Sequence, residues 1–238
     1  MNEPAIQERP IVILACQVFQ HWLENLLPDQ PGWRENITFF NYGLHRVPKN
    51  LRLTIQDAVS SIDQPSLIML GYGLCGNGLN NINSGRHYLL IPRSDDCISM
   101  LLGSYQAYHK QITSEPGTYY LSKGWLESGS NPLSEYQELV LKYGAEKAEW
   151  LMDYQYHNYK RLVMVARNQK ELEYYREKAL EVAEYCTRWG MRYEEIIGTD
   201  GFLEQLVEIT ANPEKINDDF ILIPPDSKLT QSQFIRGY

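Results

Sequence analysis

The amino-acid sequence predicts an α/β protein with a doubly wound, mainly parallel sheet and a second, smaller α/β lobe. Through the first 100 residues, short apolar runs alternate with longer stretches whose apolar residues recur at helical spacing. The runs, such as Ile11–Ala15, are continuously apolar, which indicates strands that are buried on both faces. Strands that alternate with helices are typical of a parallel sheet. The same alternation returns after residue 160, and a second lobe is therefore predicted there.

The first lobe is predicted to span residues 1–130 and to contain four main strands. These strands are Ile11–Ala15, Ile37–Phe40, Leu67–Leu70 and Tyr88–Ile91. Helices are predicted near Gln17–Leu27, at Leu51–Ile62 and from Asp96 to about Tyr108. Several boundaries coincide with prolines, which lack the backbone N–H that helix interiors and central strands require. These prolines are Pro28, Pro48 and Pro92.

Residues 112–132 are rich in glycine, serine and proline with interspersed aromatic residues, a composition typical of loops. We expect either an ordered loop over a site or a plain linker. A connecting helix over residues 131–160 is predicted next, opened by Pro132 and interrupted or bent at Gly144. The smaller lobe is predicted to cover residues 161–238. Its predicted elements are the strand Leu162–Ala166, the helix Glu171–Trp189, the strand Tyr193–Ile197, the helix Gly201–Ala211 and the strand Phe220–Ile223.

Composition and charge narrow the classes of function. The 238 residues carry a net charge of −8, and an acidic chain matches neither a nucleic-acid backbone nor an anionic membrane surface. No apolar run approaches the roughly 18 residues of a membrane-spanning helix, and the first run is too short for a signal peptide. The four cysteines are scattered, which fits reduced thiols better than a disulfide scaffold. We expect a cytoplasmic protein that acts on a small molecule, with homo-oligomerisation left open.

Three cysteines and one histidine each follow a different predicted strand. Cys16 follows the first strand, His45 the second, Cys75 the third and Cys97 the fourth. The carboxyl ends of parallel strands lie on one edge of a sheet, and that edge is where sites form. We therefore expect these four side chains to converge.

Thiolates and imidazole are ligands of zinc, and thiolates also hold iron–sulfur clusters. The sequence thus predicts a metal site with Cys16, Cys75 and Cys97 as ligands and His45 as the fourth ligand or a proton shuttle. Zinc is the preferred metal, and an iron–sulfur cluster is the other candidate. Three cysteines with an open fourth position would suit catalysis.

A purely structural interpretation applies to each of these residues taken singly. A free cysteine usually packs as a small hydrophobic residue, and Cys186, inside an amphipathic helix, is predicted to do so. No pair of cysteines has the two-residue spacing of a zinc finger. Asp96 is a catalytic candidate beside Cys97, where it could orient a ligand or accept a proton from a substrate. It could equally cap the helix that begins at Cys97.

Five further residues are predicted to contact a substrate. Small residues in the turn around Cys75 let backbone amides approach a ligand, although the same glycines also permit a tight turn. Arg93 lies near Cys97, and two residues of the aromatic segment could close over the site. The substrate-binding candidates are Gly76, Asn77, Arg93, Lys123 and Trp125.

Several stretches resemble the domain-of-unknown-function family 1638 of archaea and anaerobic bacteria. They are Ala15–Cys16, Leu44–His45, Tyr72–Gly78, Pro92–Arg93, Asp96–Ile98, Leu102–Ser104, Pro116–Tyr120 and Gly124–Trp125. The resemblance spans most of the chain and is densest from residue 72 to residue 125. It implies an association with corrinoid-dependent methyl-transfer systems, and hence a corrinoid protein as partner and a corrinoid as partner cofactor.

The sequence is consistent with three candidate functions. The first is a metal-dependent enzyme or accessory protein of corrinoid-linked methyl transfer in one-carbon metabolism. The second is a metal or corrinoid carrier without catalysis. The third is a metal-free, cysteine-dependent racemase or isomerase, in which one thiol from each lobe moves a proton.

Overall fold

The computed structural model describes residues 4–236, which form two structural units. The first unit combines the chain up to Met100 with the chain from Asp200 onward, and the second is Leu101–Thr199. The sequence suggested contiguous ranges instead, with residues 1–130 and 161–238 as lobes and 131–160 between them. The division differs because the chain leaves the first unit once and returns to it.

Elements are numbered in chain order within the described residues. The strands are β1 (Ile11–Cys16), β2 (Ile37–Phe40), β3 (Leu67–Gly71), β4 (Ile82–Asn83), β5 (Tyr88–Pro92), β6 (Thr118–Leu121), β7 (Arg161–Ala166), β8 (Arg192–Ile197), β9 (Phe220–Ile223) and β10 (Lys228–Leu229). The α-helices are α1 (Gln20–Leu26), α2 (Pro48–Ser60), α3 (Cys97–Leu101), α4 (Tyr105–Ser114), α5 (Lys123–Glu127), α6 (Pro132–Tyr143), α7 (Ala145–Tyr156), α8 (Gln169–Cys186) and α9 (Gly201–Ala211). None of these helices is both long and apolar enough to span a lipid bilayer.

The first unit is built on a five-stranded sheet with the order β2-β1-β3-β5-β9. The first four strands are parallel, with registers such as Ile13 opposite Ile37 and Leu14 opposite Leu70. The fifth strand, β9, runs antiparallel to β5. The predicted doubly wound, mainly parallel α/β fold is confirmed, because continuous apolar strands are buried under helices.

An apolar core packs against one face of this sheet, and the candidate site lies at the border of that core. Helix α2 contributes Leu51, Ile55 and Val59, each no more than 1% exposed. Alternate residues of β1 and β3, including Leu14 and Leu70, pack against it. The partly buried side chains at the border of this core include Cys16, Phe40, Leu44 and Cys75. The carboxyl ends of the strands therefore place thiols at the margin of the apolar core.

The second unit is built on a parallel three-stranded sheet with the order β6-β7-β8. Strand β7 is fully buried, and its carboxyl end leads through Asn168, which caps α8, into that helix. The guanidinium of Arg161 is buried at the other end of β7, where Nε donates to Thr118 Oγ1 at 3.0 Å and Nη1 to Glu194 Oε2 at 3.3 Å. A second α/β lobe is thus present, as the sequence predicts.

Several element boundaries differ from the sequence predictions. Residues 112–132 are not a plain loop, because they contain β6 and α5 between their glycine-rich and serine-rich flanks. The predicted helix from Asp96 to Tyr108 is two helices, because Gly103 adopts a positive φ of 86° and Ser104 caps α4. The predicted break at Gly144 is confirmed between α6 and α7. Strand β9, which the sequence placed in the smaller lobe, belongs to the first sheet.

Candidate metal centre at the carboxyl edge of the first sheet

The strand order arranges the four candidate ligands along one edge. Strands β2, β1, β3 and β5 are consecutive neighbours in the sheet. Cys16 is the last residue of β1, and the other three candidates, His45, Cys75 and Cys97, follow β2, β3 and β5 respectively. From β1 the chain goes outward to β2 and then returns to β3 on the other side of β1. Ligands of doubly wound sheets bind at the carboxyl ends of the strands where the order reverses in this way. Cys16 and Cys75 lie at the two strands that flank this point.

The loops that carry Cys75 and Cys97 are hydrogen-bonded to each other through their backbones. Leu74 N donates to Ser94 O and Cys75 N donates to Asp95 O, each at 2.8 Å. A methyl group placed on Gly73 would lie 2.8 Å from Ser94 O and 3.0 Å from Asp96 Cα. Glycine at position 73 therefore allows the loop after β3 to approach the loop after β5 closely enough for both bonds.

We expect Gly73→Ala to lower the free energy of unfolding by about 2 kcal/mol, because the added methyl group must push apart two backbones. Denaturant unfolding of the metal-free protein, with the wild type beside it, measures this change. An unchanged free energy of unfolding would show that the two loops are not held together as described.

The turn that presents the Cys75 thiol has an unusual backbone. Cys75, Gly76 and Asn77 all have positive φ values, of 49°, 61° and 71°. Such a conformation is uncommon for residues other than glycine, and strained positions of this kind cluster at functional sites. The turn packs on α2, since a methyl group on Gly78 would lie 2.5 Å from Leu51 Cδ2. The expected tight turn is thus present, while Gly76 and Asn77 remain exposed to solvent.

The three thiols are close enough to influence one another electrostatically. Burial raises the pKa of Cys16 to about 11, and the pKa values of Cys75 and Cys97 are raised as well. For Cys75 the causes after burial are the charges of Cys16 and Asp96, and for Cys97 they are those of Asp96, Cys75 and Cys16. All three cysteines are reduced and partly accessible. At neutral pH the cluster therefore holds its protons unless a cation offsets the thiolate charges.

Tyr72 is a member of this cluster that sequence reasoning missed. Its side chain is 3% exposed, and its buried hydroxyl oxygen has no hydrogen-bond partner among residues 4–236. Burial raises the pKa of Tyr72, and the charges of Cys16 and Cys75 raise it further. The hydroxyl therefore lies within electrostatic reach of two thiols. The sequence nevertheless contains a signal that could have identified Tyr72. This residue directly follows β3 and opens Tyr72–Gly78, one of the stretches that resemble family 1638.

His45 lies in a short 3₁₀ helix, Tyr42–Arg46, between β2 and α2. Its Nδ1 is 2.6 Å from Tyr42 O. Burial lowers the pKa of His45, the Tyr42 carbonyl raises it and the charge of Arg46 lowers it again. An Nδ1–H that donates to a carbonyl leaves Nε2 as the acceptor nitrogen, which is the form in which imidazole binds a metal.

Asp96 caps the helix that begins at Cys97. Its Oδ1 accepts a hydrogen bond from Ile98 N at 2.8 Å, as one of the two sequence interpretations predicted. The preceding turn is fixed by the buried hydroxyl of Ser94, which bonds to Ser99 Oγ and Asp96 O. Because the charge of Asp96 also raises the pKa of two thiols, the carboxylate lies beside the cluster as well.

The other predicted contact residues are placed as follows. Arg93 directly follows β5, and its buried Nε has no hydrogen-bond partner within the part of the chain that the structure describes. Lys123 and Trp125 belong to α5 of the second unit, where Trp125 packs against the apolar core. Cys186 is 0% exposed within that same core, as its amphipathic helix indicates.

The donor set matches a thiophilic metal in chemistry, although it is not arranged as a finished coordination shell. In residues 4–236, no three His, Cys, Asp or Glu side chains are positioned to hold a metal ion together. Three thiols in electrostatic contact and an unpartnered hydroxyl are the kind of groups that a bound cation and its ligands would satisfy. A metal would have to draw the thiols together from the positions described.

Comparison with known proteins identifies a family. No curated protein matches the chain. No solved structure matches it either. A family model matches residues 39–207, a range that includes His45, Cys75, Asp96 and Cys97 and begins after Cys16. Since this range is more than half of the 238 residues, the chain belongs to the family described as protein of unknown function (DUF1638).

Proposed function

We propose that the first unit binds one zinc ion through Cys16, Cys75 and Cys97. The observation that carries this proposal is that three thiols lie at the ends of three adjacent strands, where, in addition to burial, the charge of Cys16 raises the pKa of Cys75 and the charges of Cys16 and Cys75 raise the pKa of Cys97. Neighbouring neutral thiols do not stabilise one another electrostatically. Neighbouring thiolates repel each other unless a cation lies between them. Zinc prefers three or four thiolate and imidazole ligands, which suits this set.

The fourth position is proposed for His45 or for a substrate. The lowered pKa of His45 keeps its imidazole neutral at pH 7, as a ligand or a proton acceptor must be. Asp96 holds the first turn of α3 and therefore the position of Cys97. The loop contact at Gly73 holds the Cys75 turn against the loop that contains Asp95.

We further propose that the filled site serves methyl transfer in one-carbon metabolism. Bound zinc would supply a Lewis acid that stabilises a coordinated thiol as a thiolate nucleophile. The resemblance to family 1638 is what suggests a corrinoid protein as the methyl carrier. The part of this chain in the chemistry would be to hold the metal through three cysteines and to move a proton at His45 or Asp96.

Two alternatives remain distinct from this proposal. In the first alternative, the chain is a metal carrier without catalytic activity. It would hold zinc or an iron–sulfur cluster with every coordination position filled by a protein side chain. Metal-free thiol catalysis is less well supported, because reactive cysteines have a lowered pKa, whereas the pKa of Cys16 is about 11. A mechanism with one thiol per lobe also requires Cys186, which is buried in the core of the second unit.

Metal and acid-labile sulfide per chain, measured on protein purified without oxygen, test the proposal. We expect about one zinc per chain in the wild type and at least about 100-fold weaker zinc binding in Cys75→Ser, because one of three thiolate ligands is lost. Cys186→Ala is the matched control and should retain the metal, since that thiol lies in the other unit.

The outcomes separate the alternatives. Iron with sulfide would keep the site and change its chemistry to a cluster. No stoichiometric metal in the wild type would refute the proposal and favour thiol catalysis. If zinc is bound, incubation with methylcobalamin and a small thiol separates enzyme from carrier. An enzyme would speed the loss of methylcobalamin absorbance, and Cys75→Ser would abolish that effect.

A further inference from the structure

Helix α7 of the second unit presents a face to solvent that is both aromatic and charged. The residues of this face are Glu146, Lys147, Trp150, Asp153 and Tyr154. They recur at spacings of three and four residues, which places them on one side of a helix. All five are exposed, including 64% of Trp150 and 74% of Tyr154. The opposite side of α7 packs through Met152 and Tyr156 into the core of the second unit, so core packing does not explain the exposed rings.

The two exposed rings are already held together. The rings of Trp150 and Tyr154 stack with their centroids 5.9 Å apart and an angle of 19° between their planes. Because the rings support each other, less side-chain freedom is lost when a partner covers them. Tryptophan and tyrosine are also the residue types that most often carry the binding energy of an interface. The face therefore has the properties of a binding surface.

The charges on this face are arranged in mirrored order about Trp150. Lys147 precedes Trp150 by three residues, and Asp153 follows it by three. If a second copy of α7 crosses the first antiparallel at Trp150, Lys147 lies opposite Asp153 of the second copy. Glu146 then lies opposite the hydroxyl of Tyr154 of the second copy. Twofold symmetry forms each of these contacts twice.

The carboxylate of Asp153 is held at the surface of the helix. Its Oδ1 accepts a hydrogen bond from Trp189 Nε1 at 2.7 Å and lies 3.0 Å from Arg188 Nη2. An ionised carboxylate offers about four lone-pair sites, so it can accept a further donor. Asp153 is thus fixed in position and able to pair with Lys147 of a second copy.

A groove beside Trp150 can receive an aromatic ring. It has a volume of about 560 Å³, and its lining includes Tyr143, Gly144, Lys147 and Trp150. Glycine at position 144 keeps the groove open, since among the described residues, apart from the chain neighbours, no atom lies within 4 Å of where a methyl group would be. Antiparallel crossing at Trp150 brings the ring of Tyr154 of the second copy to this groove.

We infer that α7 forms the twofold interface of a homodimer, in which the two helices cross antiparallel at Trp150. The partner is a second copy of this chain because the face carries both signs of charge in mirrored order. A partner of uniform charge would meet a like charge on one half of the face. One helix face is small for a protein interface, so we expect a dimer that dissociates in the micromolar range. The inference is independent of any metal.

Sedimentation equilibrium of the full chain, with a reducing agent present, tests the inference between about 1 µM and about 200 µM protein. We expect the average mass of the wild type to rise from the 27.7 kDa of one chain toward twice that value. Trp150→Ala should weaken association at least about 30-fold, because the lost ring counts twice in a twofold interface. Tyr174→Ala is the matched control, since it removes a 75% exposed ring from α8 and should leave association unchanged.

Reversal of single charges tests the antiparallel register. Lys147→Glu places carboxylates opposite each other, and Asp153→Lys places ammonium groups opposite each other, so each variant should associate at least about tenfold more weakly than the wild type. An equimolar mixture of the two variants should recover dimers, because positions 147 and 153 then carry opposite charges at both contacts. The Tm of each variant checks the fold, since Asp153→Lys also removes the contacts with Trp189 and Arg188.

The possible contrary results have distinct meanings. A wild type that stays monomeric throughout the range would overturn the inference and leave the face to a protein of different sequence. A dimer that survives Trp150→Ala would place the interface elsewhere on the chain. A mixture that associates no more tightly than the single variants would show that the two helices do not cross antiparallel at Trp150.

Discussion

Zinc binding is expected to tighten steeply as the pH rises, by about 1000-fold for each pH unit between pH 6 and pH 8. The reason is the protonation of the three thiols. Burial raises the pKa of Cys16 to about 11, and those of Cys75 and Cys97 are also raised. Each thiol therefore holds a proton across this range, and zinc must displace all three. Raising the pH removes competing protons and favours the metal-bound form.

The dissociation constant, measured by chelator competition at several pH values, gives the slope directly. Three displaced protons give a slope of about −3 in the logarithm of the constant against pH. His45 should not add to the slope, because its lowered pKa leaves the imidazole neutral above pH 6.5. Replacement of one cysteine by serine should reduce the slope by about one, if binding remains measurable. A slope near zero in the wild type would show that zinc binds away from the thiols.

Most strands of the fold could be predicted from the sequence because buried parallel strands are continuous apolar runs. Ile37–Phe40 and Phe220–Ile223 have the predicted bounds. Strand β6, Thr118–Leu121, could not be recognised, because it is not a continuous apolar run and lies among glycine, serine and proline. The pairing of β9 with β5 could not be predicted, since an apolar run indicates a strand but not its neighbour in the sheet.

The candidate site was only partly predictable, for a related physical reason. The position of each cysteine after a strand follows from local pattern, and parallel pairing then places Cys16, Cys75 and Cys97 at one edge. Tyr72 could not be identified in this way. A tyrosine after a strand is ordinarily a core residue, and whether its hydroxyl finds a partner depends on packing that no local pattern encodes. Gly73 could not be identified from local pattern either. It matters because it allows the loop after β3 to approach the loop after β5, and this contact joins residues that are distant in the sequence.

A large loss of stability from a single added methyl group is expected for Gly198→Ala, about 3 kcal/mol or more. Gly198 follows β8 and is buried, and its N–H donates to Ala166 O at 2.8 Å. A methyl group there would overlap the backbone carbonyl of Leu101, which cannot rotate away as a side chain could. Leu101 begins the second unit and Thr199 ends it, so Gly198 lets the entering and leaving segments of this unit lie against each other. Chemical denaturation of purified protein measures the change.

Gly190→Ala provides the matched control for this prediction. Gly190 lies in the same unit and ends the 3₁₀ turn Thr187–Trp189 with a positive φ of 73°. Among the described residues, apart from its two chain neighbours, no atom lies within 4 Å of the position a methyl group would take. Its replacement should cost only the backbone strain, about 1 kcal/mol. If both variants lose the same amount, steric overlap at Leu101 does not matter, and the two segments are free to separate. If Gly198→Ala alone unfolds at a much lower denaturant concentration, close packing of the segments is a condition for folding of the second unit.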